Sequence, residues 1–130
     1  INNKNVNLII FSVEKNESEN NPKNKIKLLT KEKIDNICVF DLSNNSSKLM
    51  DYCIIGSGTS SRHTQAVSEY LTKLFKSSGI IPNVEGNAKD GWVTIEANGI
   101  EVHLFKPDIR SHYDIESLLL SLPNVIQVIN

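Results

Sequence analysis

The chain has 130 residues, 39% of them hydrophobic, and a formal net charge of −1. That length fits one domain with a single real core. The charge lacks the electrostatic footprint of a nonspecific nucleic-acid binder, and no run is long and apolar enough to span a bilayer.

The first stretch differs in composition from the rest. From Ile1 to Lys27, asparagine, lysine and glutamate dominate, as in "EKNESENNPKNK". Such a segment buries too little apolar surface to offset its chain entropy, so residues 1–27 are read as a mostly mobile arm. Its one apolar anchor is "VNLIIF", Val6 to Phe11. The chain begins at Ile1 without a methionine, so a piece upstream is expected to be missing.

The ordered domain is expected over residues 28–130. "NICVFDLS" (Asn36 to Ser43) reads as a buried strand ended by the "SNNSS" loop, and "YCIIGS" (Tyr52 to Ser57) as a second strand. Cys38 and Cys53 fall inside these runs and are read as small buried apolar residues. A helix follows from Ser60 to Ser77, with Ala66, Val67, Tyr70, Leu71, Leu74 and Phe75 at helical spacing and Gly79 as its stop. His63 fits the same stripe and reads as a packed histidine.

"WVTIEANGIEVHLF" is a hairpin, since Asn98-Gly99 between two alternating runs is the preferred chemistry of a type I′ turn. Counting back from the turn pairs Ala97 with Ile100, Ile95 with Val102 and Val93 with Leu104 on one apolar face. The other face sets Glu96 opposite Glu101, Thr94 opposite His103 and Trp92 opposite Phe105. Two facing glutamates repel by up to about 1 kcal/mol. This face is either a sheet surface whose aromatics lie under the arm or a helix, or a docking surface with an aromatic anchor and an acidic rim. After "KPDIR", "HYDIESLLLSL" reads as a short helix stopped by Pro123, and "NVIQVI" as a last strand.

The turn "GSGTSSRH" invites a catalytic reading, and four chemistries compete for it. A phosphate-binding loop needs a lysine followed by Ser or Thr, which is missing. A dinucleotide fingerprint needs glycine or alanine where Ser61 stands, and a later acidic residue that is not there. Ser57 sits directly between Gly56 and Gly58, unlike a nucleophile elbow. Nucleotidyl transfer needs paired carboxylates for magnesium, and the segment after the helix offers Glu85 alone. His63, His103 and His112 are too dispersed for a zinc site, so neither a metal nor a cofactor is expected.

From about Lys33 the chain resembles the ribosomal silencing factor, or Iojap-like, family. The resemblance is carried by "KIDNICVFDLSNNSSKLMDYCIIGSGTSSRHTQAVSEYL", "VEG" (Val84 to Gly86), Trp92, "VHLF" (Val102 to Phe105) and "RSHYDIESLL". It implies an α/β fold, a mixed sheet with flanking helices like that of nucleotidyltransferases but without their catalytic metal site. It also implies a protein that is not an enzyme. Such a factor binds the large ribosomal subunit through ribosomal protein 14, blocks joining of the small subunit and represses translation, or assists large-subunit assembly in organelles. Nucleic-acid contact would be incidental to the ribosome, and no membrane is involved.

Carried over by position, the partner-facing residues are Glu85, Gly86 and Trp92, to which the hairpin face adds Glu96 and Phe105. Gly58, Thr59, Ser60, Arg62, His63, His103, Arg110, Tyr113, Asp114 and Glu116 match family motifs and are assigned structural roles, with an Arg110–Glu116 or Arg62–Asp114 pair tying helices to the sheet. The chain departs from the pattern where "EANG" replaces an aspartate–x–glycine–aspartate turn, and where Leu118-Leu119 replaces Leu-Trp. The rival reading is a nucleotide-binding or nucleotidyltransferase enzyme using Gly56 to Thr59. A third is a regulatory homodimer paired through the aromatic face. The lysine- and asparagine-rich composition is read as an organellar protein, of mitochondrion or plastid, with bacterial cytoplasm as the alternative.

Overall fold

Residues 34–45 and 50–129 are described by the structure, a computed structural model of the chain. The arm, its Val6–Phe11 anchor and the boundary near Leu28 lie outside the described residues. The elements are β1 (Asp35–Asp41), β2 (Tyr52–Ser57), α1 (Ser61–Ser77), β3 (Asn83–Asn87), a 3-10 turn (Ala88–Asp90), β4 (Trp92–Ala97), β5 (Ile100–Phe105), α2 (Pro107–Tyr113), α3 (Ile115–Leu120) and β6 (Ile126–Ile129).

The strands form one mixed sheet in the order β3-β4-β5-β2-β1-β6. Among the described strands, only the β2–β5 pair is parallel. That step places β2 in the middle of the sheet, where both of its faces are covered. Ile54 faces one side of the sheet, and Cys53 and Ile55 the other. A strand covered on both faces reads as a continuous apolar run, which is how "YCIIGS" reads.

Two apolar layers hold the sheet. On one face Val67, Leu71 and Phe75 of α1 pack over Val93, Ile95, Ala97, Ile100, Val102 and Leu104 of the hairpin. On the other, Phe40, Cys53, Ile55 and Phe105 lie beneath Ile109, Ile115 and Leu119 from α2 and α3. The hairpin has the expected register throughout, from Ala97 opposite Ile100 to Trp92 opposite Phe105. Asn98 (φ 51°) and Gly99 (φ 81°) take the left-handed conformations that a type I′ turn requires.

α1 begins where expected, with Ser60 Oγ accepting from the His63 amide at 3.0 Å. It ends in a Schellman motif: the Gly79 amide donates to Lys76 O and the Ile80 amide to Phe75 O. Its buried stripe is turned from the expected one. Thr64, Val67, Ser68, Leu71 and Phe75 face the sheet, whereas Ala66 and Tyr70 are exposed. Small hydroxyl residues let the helix lie close to the strands, and a count of apolar residues alone passes over them.

The C-terminal helix also differs from expectation. His112 and Tyr113 belong to a helix that starts earlier, at Pro107, and the chain breaks at Asp114 before α3 begins. Asp114 adopts the left-handed conformation (φ 44°, ψ 53°) and its carboxylate accepts from the Ser117 amide and hydroxyl, so it ends one helix and caps the next. β3 lies along the sheet edge and is exposed over its whole length, a strand defined by its pairing with β4 and not by any alternation of its own.

Candidate functional site

The chemistry of the hairpin's second face is set by what covers it. Trp92 is half-buried, with its indole stacked on Phe105 at 4.8 Å between centroids and 28° between planes. Tyr113 of α2 meets it at 4.9 Å, tilted by 45°. Phe105 is completely buried. It therefore presents no surface to a partner, contrary to the sequence reading, and serves as the floor beneath the indole.

Trp92 lines a concavity of about 350 Å³ together with Glu85, Gly86, Asn87, Asp90, Thr94, Ile109 and Tyr113. Each wall has a local cause. β3 supplies Glu85, and Gly86 at φ 76° lies so close to β4 that a methyl there would overlap the Trp92 carbonyl oxygen. Asn87 caps the 3-10 turn by accepting from the Asp90 amide at 2.9 Å, and its amide nitrogen donates to the Asp90 carboxylate at 2.8 Å. Glu85 accepts from Asn83 at 3.2 Å. The result is an aromatic slot with two carboxylates, Glu85 and Asp90, on its rim.

Behind the indole runs a polar chain. Trp92 Nε1 donates to His103 Nδ1 at 2.9 Å, and His103 Nε2 meets Glu101 Oε1. Glu96 stands opposite Glu101, two positions along β4 from Thr94, and does not line the concavity. Tyr113, read from the sequence as structural, packs on the indole, lines the slot and is 54% exposed. Asp90, Asn87 and Ile109 were missed altogether. The "NAKDGW" turn carries the signal for the first two, an Asn three residues before an Asp, which is a common capping spacing.

The remaining signature residues divide between two places. At the start of α1, two amides of the glycine turn are already engaged. Gly58 N–H donates to Phe105 O at 2.9 Å and Thr59 N–H to His63 Nδ1 at 3.2 Å. A phosphate site needs such amides free, so the turn reads as a structural joint. A side chain on Gly58 would also overlap the buried Thr64 hydroxyl. Arg62 is exposed on α1.

The second place is a polar cleft of about 480 Å³ between α2, α3 and the end of β2. Buried Arg110 donates there to Ser57 Oγ (2.9 Å), Cys38 Sγ (3.2 Å) and Glu116 Oε2 (3.3 Å). The expected Arg110–Glu116 pair thus forms, while Asp114 spends its carboxylate on Ser117.

The fold also assembles a group of potential metal ligands that spacing does not reveal. Donor atoms of Cys53, Glu101 and His103 lie within 4.8 Å of one another because β2 and β5 are neighbours. Their chemistry does not suit a cation. An indole N–H only donates, so His103 Nδ1 must accept and Nε2 must carry the hydrogen aimed at Glu101. A metal at Nε2 would need the opposite tautomer. Burial, with the charges of Glu101 and Glu116, also pushes the Cys53 thiol far above its usual range.

Residues 15–128 match the family described as ribosomal silencing factor during starvation. A ribosomal silencing factor of Zymomonas mobilis is 34% identical over 112 residues, covering 82% of this chain and 84% of that protein. The mouse protein named mitochondrial assembly of ribosomal large subunit protein 1 is 34% identical over 97 residues, covering 72% of this chain. The chain spans only 42% of the mouse protein's length. Among solved structures, a Chromobacterium violaceum protein superposes with a TM-score of 0.65 at 30% identity, covering 72% of this chain and 78% of that one. A Bacillus halodurans protein does so with a TM-score of 0.62 at 26% identity, covering 72% and 88%.

Proposed function

This chain belongs to the ribosomal silencing factor family, and on that premise we propose that it is a non-enzymatic factor that docks on the large ribosomal subunit through ribosomal protein 14. Seated there, it prevents the small subunit from joining and so represses translation. Such a mechanism requires affinity and placement only, with no group to be transferred. The observation that carries the reading is Trp92, held between Phe105 and Tyr113 at the mouth of a concavity rimmed by Glu85 and Asp90. A rigid aromatic in a pocket is what an interface hot spot is built from. The carboxylates complement a basic ribosomal surface and speed encounter with it. Gly86 and the edge strand β3 shape the contact, and Glu96 adds charge at its margin.

Assistance in large-subunit assembly starts from the same docking step, and it is favoured by the likeness to the mouse mitochondrial assembly protein. Relatives are bacterial and mitochondrial, and we place this chain on the ribosome of an organelle. The rival nucleotide-binding reading is disfavoured by the occupied amides at Gly58 and Thr59.

Co-sedimentation with purified subunits tests the proposal. The protein is expected to travel with free large subunits and not with small subunits or assembled ribosomes. Trp92→Ala should weaken that association by about 2 kcal/mol, roughly thirty-fold, with the circular dichroism spectrum unchanged. Undiminished sedimentation of a folded Trp92→Ala protein would overturn the docking surface.

A further inference from the structure

We infer that His103 is the positioning residue for Trp92, that it holds the indole only as one neutral tautomer, and that docking at this face is consequently released by acid. The inference about docking rests on the function proposed above; the lock itself does not.

His103 is 7% exposed and lies at the N–H edge of the indole, 5.8 Å from it between ring centroids. Its two nitrogens face opposite kinds of partner. Nδ1 accepts from Trp92 Nε1 at 2.9 Å, and Nε2 donates to the Glu101 carboxylate. Only the neutral Nε2–H tautomer meets both demands. Protonation leaves the Glu101 contact intact, because Nε2 carries a hydrogen in either state. It changes Nδ1 from acceptor to donor, and two N–H groups then point at each other. The Thr94 hydroxyl, 3.4 Å from Nδ1, is the acceptor positioned to take the new hydrogen. The indole N–H is left facing a donor in a half-buried place, an arrangement relieved only by moving the ring.

The groups packed around the imidazole reinforce this division. β4 contributes Trp92 and Thr94, with Glu96 opposite Glu101. β2 contributes Cys53, whose thiol stays neutral. From α2, Tyr113 touches the far side of the indole, and Arg110 is paired with Glu116 of α3. Among these, the Nδ1 atom of His103 is the point at which protonation reverses a hydrogen bond to the anchor.

Trp92 is the single tryptophan of the chain, so its indole N–H gives one nuclear magnetic resonance signal. In the full chain, a pH titration should move that signal with the same midpoint as the His103 ring proton. His103→Asn places an amide oxygen where Nδ1 stood and cannot titrate, so its indole signal should stay put. Sedimentation of the wild type with large subunits should fall about tenfold from a pH above the midpoint of the His103 ring proton to a pH below it, the worth of one hydrogen bond. The ratio between the two pH values should change less than about twofold for His103→Asn, whatever its absolute level. An indole signal that ignores His103 titration, or a variant as acid-sensitive as the wild type, would overturn the inference. If the indole follows His103 but the wild type sediments with large subunits at neither pH, the lock stands and the docking function fails.

Discussion

The Cys53 thiol lies in the apolar layer with Phe40, Ile55 and Phe105. Burial, then Glu101 and Glu116, pushes its pKa up, and burial also raises that of Cys38, with Arg110 pulling the other way. An unfolded thiol ionises at about 8.5. Because folding raises that value, the thiols contribute full stability below the unfolded pKa and lose it as pH rises past it. Urea midpoints should therefore fall between pH 7 and pH 10, and fall less in Cys53→Ala than in the wild type. Iodoacetamide at pH 8 should spare Cys53 until the protein unfolds. At this scale the sequence was legible where the hairpin register alone settles a neighbour, as it does for Trp92 opposite Phe105. His103, Cys53 and Glu101 were opaque because their grouping depends on a parallel pairing between strands far apart in the chain.

Elements divide along similar lines. The hairpin was readable to the residue because a period of two and an Asn-Gly pair determine both register and turn. α1 had readable ends and a misread face, since Thr64 and Ser68 are buried for their size and not for their polarity. The break between α2 and α3 was hidden because no Gly or Pro stands at it in "RSHYDIES", and one backbone conformation at Asp114 makes it. Asp114→Ala should lower unfolding stability by about 1 to 2 kcal/mol, through the lost cap and the left-handed strain together. Asp114→Asn should retain most of it. Equal thermal midpoints for the alanine and asparagine variants would show that the cap contributes nothing.

For the whole molecule, Arg110 is the tie between layers. It joins α2 to β2 at Ser57, to β1 at Cys38 and to α3 at Glu116. Arg110→Met keeps the apolar stem but strands the partly buried Glu116 carboxylate, whose Oε1 already lacks a partner among the described residues. A loss of about 2 to 3 kcal/mol in urea unfolding is expected, along with weaker docking, because Tyr113 sits on the helix that Arg110 anchors. An Arg110→Met protein as stable as the wild type would remove the tie from the account.

The single parallel step between β2 and β5 also sets an order in time. The β4–β5 hairpin closes through two residues and β2–β1 through neighbouring segments, so both are quick to pair. Joining β2 to β5 must wait until everything from Gly58 to Gly99 has been made and gathered, because the two strands run alongside each other with that length between them. During synthesis the inner edge of β2 consequently stands open, and the apolar run "YCIIGS" is liable to wrong pairing until Phe105 arrives.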